Sequence, residues 1–151
     1  MHTRARPGPD DKGETLIELM IAVAIMGIVV VAIVGGIATS IMMSDIHRKQ
    51  ATAGAYVRNY AETVVAYVAA GTPASNANFA GASPDYSPSK VGFAAPAGGF
   101  VASVTSVQCW VDASKQFSSC TTGSSVQQVT LNIASSDSRA SETLLVIVRK
   151  P

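Results

Sequence analysis

The hydrophobic pattern changes character three times along the chain. Residues 19–38 form a run of twenty without a single charge. A helix rises about 1.5 Å per residue, so this run covers about 30 Å, the thickness of a bilayer core. Gly27, Gly35 and Gly36 interrupt it. In water each would weaken a helix by about 1 kcal/mol. In membranes such glycines are frequent and let helices approach closely.

From residue 45 to 70 the period changes. Ile46, Ala53, Val57, Tyr60, Val64 and Val68 recur at helical spacing, and Arg48, Lys49, Arg58, Asn59 and Glu62 fall largely elsewhere. No proline occurs from Glu14 to Ala70. The pattern predicts one continuous helix of about 85 Å, apolar all round at first and amphipathic later. Gly71, Thr72 and Pro73 end it. Tyr56, Tyr60 and Tyr67 lie on overlapping faces and read as core aromatics.

Residues 71–99 are rich in Gly, Pro, Ser and Ala, with Pro73, Pro84, Pro88 and Pro96, and read as a long surface loop. Three strand-like stretches follow, at 100–111, 126–134 and 143–149. In the second, Val129, Leu131 and Ile133 alternate with Gln128, Thr130 and Asn132. The third, nearly all apolar, is expected at the middle of the sheet. Short connections favour an antiparallel meander. The helix face and the sheet can bury each other, which gives an α+β fold.

Composition agrees with a membrane link: 48% hydrophobic residues and 14% charged. The net charge is +1; three of the eleven basic and two of the ten acidic residues lie in 1–13, which leaves the rest balanced. No basic run marks a nucleic-acid footprint. Cys109 and Cys120 are not in a C-x-x-C pair, and His2 and His47 are far from them, so a zinc site lacks ligands. The two cysteines are either a disulfide, which needs an oxidising compartment, or two small buried thiols. No G-x-S-x-G, P-loop or D-x-D loop occurs. No catalytic residue, metal site or cofactor is expected.

One carboxylate, Glu18, stands at the start of the apolar run. Thr15 and Glu18 have the spacing of a helix capping box, S/T-x-x-E. A conventional secretory signal has a shorter apolar core than this, although a small-residue site exists at Ala38, Thr39 and Ser40.

The stretch Gly13-Glu14-Thr15-Leu16-Ile17-Glu18-Leu19, with the apolar run behind it, resembles the prepilin motif of type IV pilins and the related pseudopilins. The resemblance covers Gly13 to about Ile37. It implies that a dedicated membrane peptidase cuts between Gly13 and Glu14, and that the apolar run stays as the first half of a long helix. Glu18 becomes the fifth mature residue. The family usually has phenylalanine or another apolar residue first after the cut, often N-methylated; Glu14 occupies that place here.

The resemblance further implies a leader at 1–13, a transmembrane and assembly helix at 14–43, its amphipathic half at 44–70, and a globular loop plus sheet at 71–151. A late disulfide fits the same layout. Partners would be the prepilin peptidase, other pilin or pseudopilin subunits, and pilus or secretion machinery in the membrane. The protein would sit in the cytoplasmic membrane with its leader inside and its globular part outside, and then in a filament. Charge does not set this orientation, since basic residues precede and follow the span. In assembly, Glu18 would meet the new amine at Glu14 of a neighbour. Major pilins, minor pilins, and secretion and DNA-uptake pseudopilins share this start. The other reading is a single-span anchored binding domain outside the cell membrane.

Overall fold

The computed structural model describes residues 16–81, 83–94, 97–121 and 123–151. It contains helix α1 (Leu16–Ala69), short helices α2 (Pro73–Ala77) and α3 (Pro88–Val91), and strands β1 (Phe100–Val111), β2 (Gln116–Ser119), β3 (Val126–Ser135) and β4 (Ser141–Arg149). Two compact units divide the chain, Met1–Met43 and Ser44–Pro151.

In the first unit every described residue is exposed. Leu16, Ile28 and Val31 are each at least 70% exposed. This part of α1 has no polar stripe and no apolar stripe, because its sequence is apolar at all angles. It is long and apolar enough to cross a membrane.

In the second unit α1 becomes one-sided. Ala53, Val57, Tyr60, Ala61, Val64 and Val68 are buried, at the spacing that keeps one face toward the sheet. Ile46, expected on this face, is half-buried. Each fully buried valine adds about 1.5–3 kcal/mol relative to exposure. Tyr60 stacks on Phe93 with ring centroids 4.6 Å apart, and Tyr56 tilts against Phe100 at 5.7 Å. Gly71 takes φ +58° just beyond the helix, where a side chain would be strained. Thr72 then caps α2, accepting a hydrogen bond from Ser75 N–H at 3.2 Å, with Pro73 in the first turn.

The sheet has the order β2-β1-β3-β4, with all neighbours antiparallel. β3 buries every second residue: Gln127, Val129, Leu131, Ile133 and Ser135. Its neighbours answer in register, with Val107 opposite Val129 and Leu144 opposite Leu131. β4 lies at an edge, not in the middle. Only its alternate residues Leu144, Val146 and Val148 face the core, while Leu145 and Ile147 are 50% and 58% exposed. An unbroken apolar run does not by itself require two covered faces. The meander holds for β1, β3 and β4 in space. However, β2, absent from the sequence reading, turns back on residues 108–111 of β1 before the chain returns to form β3.

Residues 71–99 are not a surface loop throughout. Ser75, Asn78, Phe79, Tyr86 and Val91 are buried. Gly123 fits against this segment because a Cβ there would meet the Phe79 carbonyl oxygen at 2.7 Å. Ser124 N–H donates to the same carbonyl at 3.1 Å.

Candidate functional site

The residues singled out by sequence fall into both units. Gly13, Glu14 and Thr15, which carry the expected cleavage and capping roles, lie outside the described residues. Glu18 is described. It occupies the first turn of α1, where a carboxylate is favoured by the helix dipole. Its side chain is exposed, and among the described residues it has no hydrogen-bond or ion-pair partner. One turn further, apolar positions begin on every side.

Small residues hollow the surface of this helix. A shallow depression of about 460 Å³ is lined by Ala22, Val23, Met26, Gly27 and Val30. A Cβ added at Gly27, Gly35 or Gly36 would meet nothing within 4 Å. Such positions allow another helix backbone to come close. Thr39 hides its hydroxyl by donating to the Gly35 carbonyl at 3.0 Å, so this polar group does not disturb the apolar surface.

In the second unit a buried polar chain joins helix, loop and sheet. Tyr60 donates to the Tyr86 carbonyl at 2.7 Å. Tyr86 donates its phenol to Gln127 Oε1 at 2.7 Å. Gln127 Nε2 donates to the Asn78 carbonyl at 2.8 Å. Asn78 in turn holds Asp85, donating to its carbonyl at 2.8 Å and accepting from its N–H at 3.2 Å. Burial pushes the Tyr60 phenol up to about 12 and raises that of Tyr86 as well. These groups are held neutral and serve structure.

Cys109 and Cys120 are joined by a disulfide with Cα atoms 5.0 Å apart. It ties the end of β2 to β1 and lies beside Gln127. Trp110, next to Cys109, packs edge-on against Phe117 of β2 at 5.2 Å. Lys49 of α1 forms an ion pair with Asp137 in the turn between β3 and β4, and another with Asp45 at 3.3 Å. The Lys49 ammonium beside it holds the Asp137 carboxyl well below the usual range. Among the described residues no group of His, Cys, Asp or Glu is arranged to hold a metal ion.

The buried chain from Tyr60 to Asn78 is not among the sequence-based expectations. The signal available was parity: Gln127 shares the face of Val129, Leu131 and Ile133, so it had to be buried and satisfied.

Residues 9–43 match the family model for the prokaryotic N-terminal methylation motif. This motif is the signature of type IV pilins and pseudopilins, and the chain carries it together with a pilin-like α+β arrangement, a long helix that is apolar in its first half and packs on an antiparallel sheet with its second. Motif and helix together fit anchoring in the inner membrane. No curated protein and no solved structure gives a match.

Proposed function

We propose that this chain is a structural subunit of a membrane-anchored helical filament, processed after Gly13 by a prepilin peptidase. The observation that carries the reading is the first half of α1. It is apolar and exposed on every side, it falls within the matched motif, and it bears one carboxylate in its first turn that has no partner among the described residues.

Such a helix needs surroundings that the described residues do not give it. Lipid supplies them first, and the same helix of neighbouring subunits supplies them after assembly. Packing would then rest on van der Waals contact and close approach at Gly27, Gly35 and Gly36. Cleavage creates an α-amino group at Glu14 with a reference pKa of about 8, so it is mostly charged at neutral pH. That amine can pair with Glu18 of a neighbour inside the filament. A buried charge left without its partner there costs about 3–5 kcal/mol, which selects for correct register. Glu14 adds a second carboxylate beside the amine and distinguishes this chain from the apolar first residue usual in the family.

In this reading the leader stays inside, the second unit lies outside, and a separate ATPase drives assembly. Intact mass of the membrane-extracted protein tests it, with loss of residues 1–13 expected. A chain that keeps its leader would be a single-span anchored domain instead. One that starts after Ser40 would be an ordinary secreted protein.

A further inference from the structure

β1 is twelve residues long, but β2 pairs only with its residues 108–111. On the side away from β3, residues 100–107 have no strand partner among the described residues. Their outward backbone groups have no hydrogen-bond partner there either. An open edge is normally blunted by lysine, proline or an inward-pointing charge. The segment reads Phe100-Val101-Ala102-Ser103-Val104-Thr105-Ser106-Val107 and has none of these. Its one irregularity is a bulge at Thr105, which increases the local twist.

This edge is one wall of a cleft of about 680 Å³, the size of an ordinary ligand pocket. The opposite wall is residues 83–88. Val104 and Val107 give the cleft an apolar side, and Ser83, Ser87 and Ser103 add hydroxyls. Asp85 is the one charged residue among those lining it. Its carboxylate accepts from Ser87 N–H at 2.9 Å, and that bond holds it below the usual carboxylate range.

We propose that this cleft binds an extended peptide segment of a partner protein by strand addition to residues 102–107, with a basic side chain of the peptide set against Asp85. Main-chain hydrogen bonds would supply affinity, and the side-chain surroundings specificity. Charge selects a partner protein over a second copy of the same edge. Residues 100–107 carry no basic group, so pairing two such edges would bring each Asp85 carboxylate no cation beyond Lys90 of its own chain, whereas a basic peptide side chain would add one. The proposal does not depend on cleavage at Gly13.

The full chain in detergent micelles is titrated with two labelled, end-blocked peptides by fluorescence anisotropy. One is seven residues of alternating valine and threonine with a central lysine; the other has glutamate in its place. The lysine peptide should bind about tenfold more tightly, the size expected for one charge-assisted contact. Asp85→Asn should remove that preference while leaving the fold intact by circular dichroism. Ser103→Lys should repel the lysine peptide and keep the glutamate peptide. Hydrogen exchange should slow at residues 100–107 when the lysine peptide binds.

Three results would overturn the proposal. One is absence of binding by both peptides, including the case where a neutral oligosaccharide binds instead. Another is protection confined to other residues. The third is protection of 100–107 that is present without peptide and rises with protein concentration, which would put a second copy in the cleft.

Discussion

Tyr86 donates its phenol to Gln127 Oε1 at 2.7 Å, and both side chains are fully buried. The bond fastens the segment after α2 to the middle of the sheet. Gln127 donates from its Nε2 to the Asn78 carbonyl at 2.8 Å and to Cys109 Sγ at 3.5 Å. Removing the donor with Tyr86→Phe leaves a buried carbonyl unpaired and should destabilise by about 1–3 kcal/mol. Gln127→Leu should cost a similar amount. The double variant should lose less than the two single losses combined, because the second change removes a group already orphaned. Urea unfolding of the detergent-solubilised chain measures all three.

The pH profile of stability should have a flat top with two falling limbs. Asp137, through Lys49, and Asp85, through Ser87, have lowered values in the folded state. Their contribution is complete above the unfolded carboxylate value of about 4 and is lost as pH falls through the lowered value. Tyr60 and Tyr86 are raised by burial, and Lys49 chiefly by its hydrogen bond to Asp137. Their contribution is complete below about pH 10 and is lost as pH rises through the raised values. Melting temperatures across pH 2–12 test this, and Asp137→Asn should flatten the acid limb.

The disulfide closes a loop with a sequence separation of 11. In the chain-entropy picture a loop of this length stabilises by about 3 kcal/mol. Cys109→Ser with Cys120→Ser should lower stability by about that amount and loosen β2 first. Maleimide labelling without reductant should leave both sulfurs unmodified. Labelling of both would mean that they are free thiols.

Glu18→Ala should insert in the membrane and lose residues 1–13, yet fail to assemble normally. Glu18→Gln separates charge from hydrogen bonding. If the pairing with a neighbour's amine is ionic, it should fail as well. Normal filaments from Glu18→Ala would leave Glu18 with only the local role of supporting the start of α1.

Long, regular elements were legible because their period survives in any context. The face of α1 from Ala53 to Val68 and the alternation of β3 are of this kind. β4 was placed wrongly because hydropathy records side chains and not neighbours. Leu145 and Ile147 are as apolar as Leu144 and Val146, yet they face outward. β2 has four residues and too few turns of any pattern to show. The segment 71–99 hid its buried part because Phe79, Tyr86, Val91 and Phe93 enter the core singly, without a helix or strand period, and its polar contacts, such as Asn78 and the Tyr86 carbonyl, join residues far apart in sequence. At the candidate site, Glu18 stood out for being polar in an apolar run. Its proposed partner, the amine at Glu14, came only from the family resemblance, because a backbone amine that proteolysis would create is not a residue type.

Among the described residues the first half of α1 buries nothing of its own, so in the proposed filament its surroundings would come from other molecules. In that proposed assembly, moving it from lipid into a bundle of like helices would exchange one apolar solvent for another. Little apolar surface leaves water in that step, so it should carry almost no heat-capacity change, unlike the folding of a globular domain. Its thermodynamic signature would come instead from packing and from the few polar groups that change partners.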